Sequence, residues 1–134
     1  MANVKELAES LNGLAAHLGG YGSEKQEHFA ADPLKRYAYR YLTLGCIQLS
    51  LDIACSVISR RNLGMPNSYH ECIRILFENA YIDSELKDFY SSAINVRDIL
   101  LHDFSDLYEK DILLIGKNCH YFVKFSESIT AFEQ

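Results

Sequence analysis

At 134 residues the chain fits one domain, long enough to bury a real core and too short for two. Hydrophobic residues make up 49% and charged residues 23%, which is ordinary globular composition and excludes a disordered chain. The formal net charge of −5 excludes a globally basic nucleic-acid binder, so any handling of RNA must rest on a local basic site in a mildly repulsive field.

Val4, Leu7, Leu11, Leu14 and Leu18 advance in steps of three and four, which predicts a one-sided first helix. Gly19, Gly20 and Gly22 end it or form a loose joint. Asp32-Pro33 starts a long second helix, in which Asp32 caps and Pro33 takes the first turn, where its missing N–H does no harm. Leu44, Ile47, Leu51, Ala54 and Ile58 carry it to about Arg61-Asn62 and Gly64. Met65-Pro66-Asn67 is a turn, and Ser68-x-x-Glu71 is a capping box for a short third helix through about Asn79. Asp83 caps a fourth, with Leu86, Phe89, Ala93, Val96 and Leu100 on one face. Asp106-x-x-Glu109 caps a fifth, carried by Ile112, Ile115, Cys119, Phe122 and Ile129. No segment alternates with period two and none repeats. The expectation is one all-α domain over residues 1–134, an up-and-down bundle of about five helices.

Cys46, Cys55, Cys72 and Cys119 are widely spaced in apolar helical stretches, which fits small buried hydrophobes in a reducing compartment better than disulfides or zinc. The first ten residues hold two acids and no long apolar run, so no signal peptide is expected. No apolar stretch approaches the roughly 20 residues that a membrane span needs, and the expected location is the cytoplasm. Lys35, Arg36, Arg40, Arg60 and Arg61 read as a solvated helix face. The nine tyrosines suit surfaces that are part apolar and part polar, as at subunit contacts.

A Gly-rich phosphate loop, an H-E-x-x-H pair, an EF-hand loop and a nucleophile elbow are all missing. His17, His28, His70, His102 and His120 show no ligand spacing on one helix face, so neither a metal nor a cofactor is expected. What remains is Arg97-Asp98-Ile99-Leu100-Leu101-His102, where an apolar helix runs out before Asp103-Phe104-Ser105-Asp106. Metal-free RNA cleavage needs a base near neutrality for the 2′-hydroxyl proton and a cation for the phosphate as charge builds. Histidine suits the first task and arginine the second. Five residues of ideal helix turn about 500°, so the two side chains point about 140° apart. They converge only if the helix loosens before His102 or a second subunit supplies the missing partner. Asp52, an acid in an apolar stripe, needs a partner, as an ion-paired helix-face residue or as support behind the site.

These residues also carry a resemblance. Leu51-Asp52-Ile53-Ala54, Gly64-Met65-Pro66-Asn67-Ser68-Tyr69-x-Glu71, Tyr81-Ile82-Asp83-x-x-Leu86 and Val96 through Phe104 resemble, in order and spacing, the HepT-like toxins of the HEPN superfamily. The resemblance runs from about Tyr37 to Ile129. It implies a five-helix homodimer and a composite RNase groove at the dimer interface. It also implies a type VII toxin–antitoxin pair, in which a minimal nucleotidyltransferase is the antitoxin. Arg97 and His102 carry over as the catalytic pair. Asp98 fills a position commonly held by asparagine and is assigned an orienting role. Phe104 stands where many of these toxins have the tyrosine that accepts AMP, and it has no hydroxyl to modify. Neutralisation by binding is the preferred expectation, with modification of another residue such as Tyr108, or decay of the system, as alternatives. The competing function is a catalytically silent helical subunit that binds a nucleotidyltransferase and helps present its substrate.

Overall fold

The helix that starts at Asp32-Pro33 is the axis around which the others pack. A computed structural model describes residues 3–22, 24–102 and 109–133. Among them the chain forms seven helices and no strand: α1 (Val4–Gly19), α2 (Gln26–Ala31), α3 (Pro33–Arg60), α4 (Tyr69–Glu78), α5 (Ser84–His102), α6 (Glu109–Lys117) and α7 (His120–Phe132). α3 touches all six others. It is also, among the described residues, the one helix long and apolar enough by length and composition to cross a membrane, contrary to the expectation that no stretch comes near. Half of its most apolar window is buried in the fold, as in the core helix of a helical domain.

The caps behave as their chemistry dictates. The Asp32 carboxylate accepts from the Leu34 and Lys35 backbone N–H groups at 3.1 and 3.2 Å, satisfying donors that the first turn leaves without carbonyls. Ser68 Oγ accepts from Glu71 N–H at 3.2 Å, while the Glu71 carboxylate accepts from Asn67 N–H just upstream. Asp83 accepts from Leu86 N–H at 2.9 Å. The cap predicted at Asp106 lies outside the described residues.

The described residues form two helices more than the five expected. α2 is only six residues long, too short to present an apolar stripe. The predicted fifth helix is broken between α6 and α7 by tight three-residue turns, in which Asn118 and Cys119 N–H donate to the Ile115 and Gly116 carbonyls. The apolar spacing continues across that break, so periodicity cannot see it.

Leu11 and Leu18 of α1, Ile47 and Leu51 of α3, Tyr90 of α5 and Phe122 and Phe125 of α7 are fully buried. One buried hydrogen bond sets the α3–α5 register: Tyr90 Oη donates to Ser50 Oγ at 2.8 Å, and Ser50 Oγ donates to the Cys46 carbonyl at 2.8 Å. This bond lies two turns before Arg97 on the same face of α5.

Burial pushes the phenols of Tyr39 and Tyr90 above their ordinary value of 10.0, because the tyrosinate would lose its hydration. In the unfolded chain both ionise near 10, so the folded state binds more protons above that pH. The stability the two phenols contribute is complete below about pH 10 and is lost as the pH rises through their folded values. Alkaline titration is therefore expected to show tyrosinate absorbance at 295 nm from these two residues only together with loss of helical circular dichroism above about pH 10. Full titration of every tyrosine with the fold intact would refute this.

Candidate active site

Arg97 projects from α5 into the angle between α3 and α4 and is held from three sides. Its Nε–H donates to Gln48 Oε1 at 2.8 Å, and an Nη1–H donates to Asp98 Oδ1 at 3.1 Å. The guanidinium carbon lies 4.7 Å from the centre of the Tyr69 ring, a cation–π contact worth about 1–2 kcal/mol when partly desolvated. Gln48 is held in turn, because its Nε2–H donates to Asp52 Oδ1 at 2.9 Å. That bond fixes which end of the amide faces Arg97, so the carbonyl oxygen meets the donor.

The arginine side chain is only 17% exposed, whereas Asp98 is 58% exposed. A guanidinium has five N–H donors, and the two bonds above occupy one each. The remaining edge of the fork is suited to a phosphate, which arginine binds with paired donors. Beside it opens a concavity of about 470 Å³, lined among others by Asn67, Ser68, Tyr69, His70 and Asp98. Ser68 and Tyr69 reach it because α4 starts there, capped by Ser68.

His102 is the last residue of α5 and is exposed. α5 stays helical through it, so the helix does not loosen between Arg97 and His102. The pair is thus held about 140° apart on one monomer. The loosening before His102 that would bring the two together within one subunit is not seen among the described residues. Phe104 and Tyr108, the two positions bearing on AMP attachment, lie outside the described residues.

Asp98 meets Arg97 by a hydrogen bond. Asp52 pairs with Gln48 rather than with an arginine, which puts it behind Arg97 in a chain of two hydrogen bonds. Sequence reasoning missed Gln48 itself. Its signal was its place four residues before Asp52, on the same line of an otherwise apolar helix. The basic groups mostly serve the fold: Lys35 pairs with Glu24 at 2.8 Å, Arg36 donates to the Phe29 carbonyl at 2.9 Å, and Arg61 pairs with Glu133 at 3.1 Å. Cys46 and Cys72 are buried and Cys119 is half-buried, as expected, but Cys55 is exposed. It follows Gln48 and Asp52 on the outward line of α3, where periodicity had assigned it to the core.

Comparison with known proteins agrees in fold and in sequence. The family described as Ribonuclease HepT-like matches residues 5–129. The mRNA nuclease HepT of Shewanella oneidensis is 29% identical over 62 residues, 46% of this chain and 47% of that protein, so the match spans about half of the curated relative. Among solved structures, a tri-AMPylated Shewanella oneidensis HEPN toxin in complex with an MNT antitoxin superposes with a TM-score of 0.85 at 21% identity, over 98% of this chain and 99% of that one. The cytosolic protein of unknown function YutE from Bacillus subtilis superposes with a TM-score of 0.73 at 18% identity, over 93% and 87% of the two chains. At such identities the superpositions establish the shared helical fold.

Proposed function

This chain belongs to the Ribonuclease HepT-like family, and on that premise we propose that it is the toxin of a type VII HEPN/MNT toxin–antitoxin pair. It is a cytoplasmic endoribonuclease that cleaves RNA without metal at a composite site between two copies of itself. The observation that carries this reading is the cradle of Arg97: three partners hold a guanidinium that is mostly buried, and the two hydrogen bonds occupy only two of its five donors. His102 acts as the base. It takes the proton of the 2′-hydroxyl as that oxygen bonds to phosphorus, while Arg97 stabilises the charge on the phosphate as the P–O5′ bond breaks; the 5′-oxygen takes a proton from water and a 2′,3′-cyclic phosphate is left.

The homodimer follows from the 140° between the two side chains. An exposed apolar line on α3 supports it. Leu34, Tyr37 and Tyr41 are 77%, 59% and 70% exposed, and two steps of seven carry the line from Leu34 through Tyr41 to Gln48. A two-fold contact along it brings two Arg97 cradles to one groove. The partner that silences the toxin is a minimal nucleotidyltransferase. Because Phe104 has no hydroxyl, that partner acts by binding rather than by placing AMP at this position.

The second reading, a silent subunit that binds the nucleotidyltransferase, is favoured by Asp98, whose carboxylate competes with a phosphate for Arg97. The two separate in one experiment. Purified protein in EDTA is expected to run as a dimer by light scattering and to cleave RNA, whereas His102→Ala loses activity by about 10²–10⁴-fold. His70→Ala, which removes the histidine that lines the concavity, is expected to stay within about threefold, as suits an imidazole without a role in proton transfer. Equal cleavage by wild type and His102→Ala removes the proposed base. No cleavage at any dose, with a stable complex formed with the nucleotidyltransferase, is the outcome expected of the second reading.

A further inference from the structure

Gln48 and Tyr69, which hold Arg97, each begin a line of side chains, and the two lines meet again further on. Gln48, Asp52 and Cys55 follow one another on α3 in steps of four and three, and Tyr69 and Cys72 stand three apart on α4. Where the lines meet, the sulfurs of Cys55 and Cys72 lie 3.6 Å apart, both at the concavity that Tyr69 and Asp98 border. We propose that Cys55 and Cys72 are a reversible dithiol–disulfide couple, and that its oxidation by a peroxide resets the α3–α4 spacing and so disables the Arg97 cradle. The modification site stands on this geometry; its effect on cleavage rests on the function proposed above.

The two thiols differ as an attacking and a resolving cysteine do. Cys55 is exposed, and it faces both the 470 Å³ concavity and a neighbouring one of about 250 Å³ beside Gly64 and Met65, so a small oxidant reaches it. Cys72 is 2% exposed, and burial, followed by its contact with Cys55, pushes its thiol up to about 12. The peroxide therefore meets Cys55 first. The Cys55 sulfur forms a bond to one peroxide oxygen as the O–O bond breaks, leaving a sulfenic acid and water. The Cys72 sulfur then attacks the Cys55 sulfur. The S–S bond forms, the S–O bond breaks, and the Cys72 proton departs with the hydroxyl as water. Two thiols and one hydrogen peroxide become one disulfide and two waters, and a thiol reductant reverses the change.

A disulfide needs its sulfurs about 2.05 Å apart, so the pair must close by about 1.5 Å from its 3.6 Å separation. That closure draws the first turn of α4 toward α3. Tyr69 moves with it, one turn away on the same face, while Gln48 stays two turns back along α3. The opening between ring and amide, which Arg97 fills, then no longer fits the guanidinium.

The test treats the full chain with hydrogen peroxide under non-denaturing conditions and maps its cysteines by non-reducing digestion and mass spectrometry. The wild type is expected to lose two hydrogens, to yield a linked Cys55–Cys72 peptide, and to revert with dithiothreitol. Cys55→Ser and Cys72→Ser yield no such peptide. RNA cleavage by oxidised wild type is expected to fall on the order of tenfold and to return on reduction, while the double variant Cys55→Ser/Cys72→Ser is insensitive to peroxide. A Cys55 that proceeds to sulfinic acid with Cys72 still free overturns the couple. A linked peptide with cleavage unchanged overturns its control of Arg97. Reduced wild type that cleaves no RNA counts against the proposed function and the control together, while the peptide map still decides the couple.

Discussion

Arg97→Lys is expected to lower RNA cleavage by about a hundredfold to a thousandfold while the protein stays folded, the loss typical of removing one donor from a transition-state charge. The reason is geometric. Lysine keeps the charge but presents it as a point, with no planar fork to share between Gln48, Asp98 and a phosphate. The ammonium also gives up most of the contact with Tyr69 that orients the guanidinium plane. The fold should lose only about 1–2 kcal/mol, because the apolar core is untouched and only the contacts of this one side chain change. Single-turnover cleavage beside thermal unfolding separates the two quantities. Cleavage within about threefold of wild type would mean that charge alone suffices and that the fork has no role.

Gln48 refines the same expectation. Gln48→Leu keeps the volume and removes the acceptor for Arg97 Nε–H, so the arginine remains but its orientation is released. A positioning role of this kind lowers cleavage less than loss of Arg97 and leaves stability nearly unchanged. Asp52 lies one bond further back, accepting from the Gln48 amide. The acid that stood out in an apolar stripe thus has a partner, and the partner in turn touches the candidate site.

Local chemistry was legible along the chain wherever one side chain decides a helix end. Asp32, Ser68 and Asp83 cap as written, since each competes only with water for backbone N–H groups that have no other partner. The apolar spacing also found α1, α3, α4 and α5 within a residue or two. It failed where packing overrides period. Tyr90 was not read as core, although its ring is fully buried among Phe89, Phe122 and Phe125 and its hydroxyl reaches Ser50. The cradle of Arg97 was invisible for a similar reason. Gln48 and Tyr69 lie 49 and 28 positions before Arg97, and only the crossing of α3, α4 and α5 brings the three together. The motif singled out the arginine, whereas the tertiary fold decides how it is held.

The packing of α6 onto α3 shows how little room that fold leaves. Gly116→Ala is expected to destabilise the protein by about 3 kcal/mol or more, because overpacking a filled site costs that much when nothing can move aside. A Cβ at position 116 would fall inside the van der Waals surface of the Tyr39 hydroxyl and its attached ring carbon, and 3.1 Å from the next one. Tyr39 cannot retreat. Its ring is wedged edge-on against Tyr21 at 5.7 Å and Phe29 at 4.9 Å, and its hydroxyl donates to the Leu113 carbonyl at 3.2 Å. For a chain of this size such a loss lowers the melting temperature by about 10 °C. A double-mutant cycle identifies the cause: in a Tyr39→Leu background the added cost of Gly116→Ala should fall below about 1 kcal/mol, since the clashing atoms are gone. A Gly116→Ala protein that melts within about 2 °C of wild type would mean that α6 does not sit on Tyr39. The same result would unseat the placement of α6, the first helix described after α5 ends at His102.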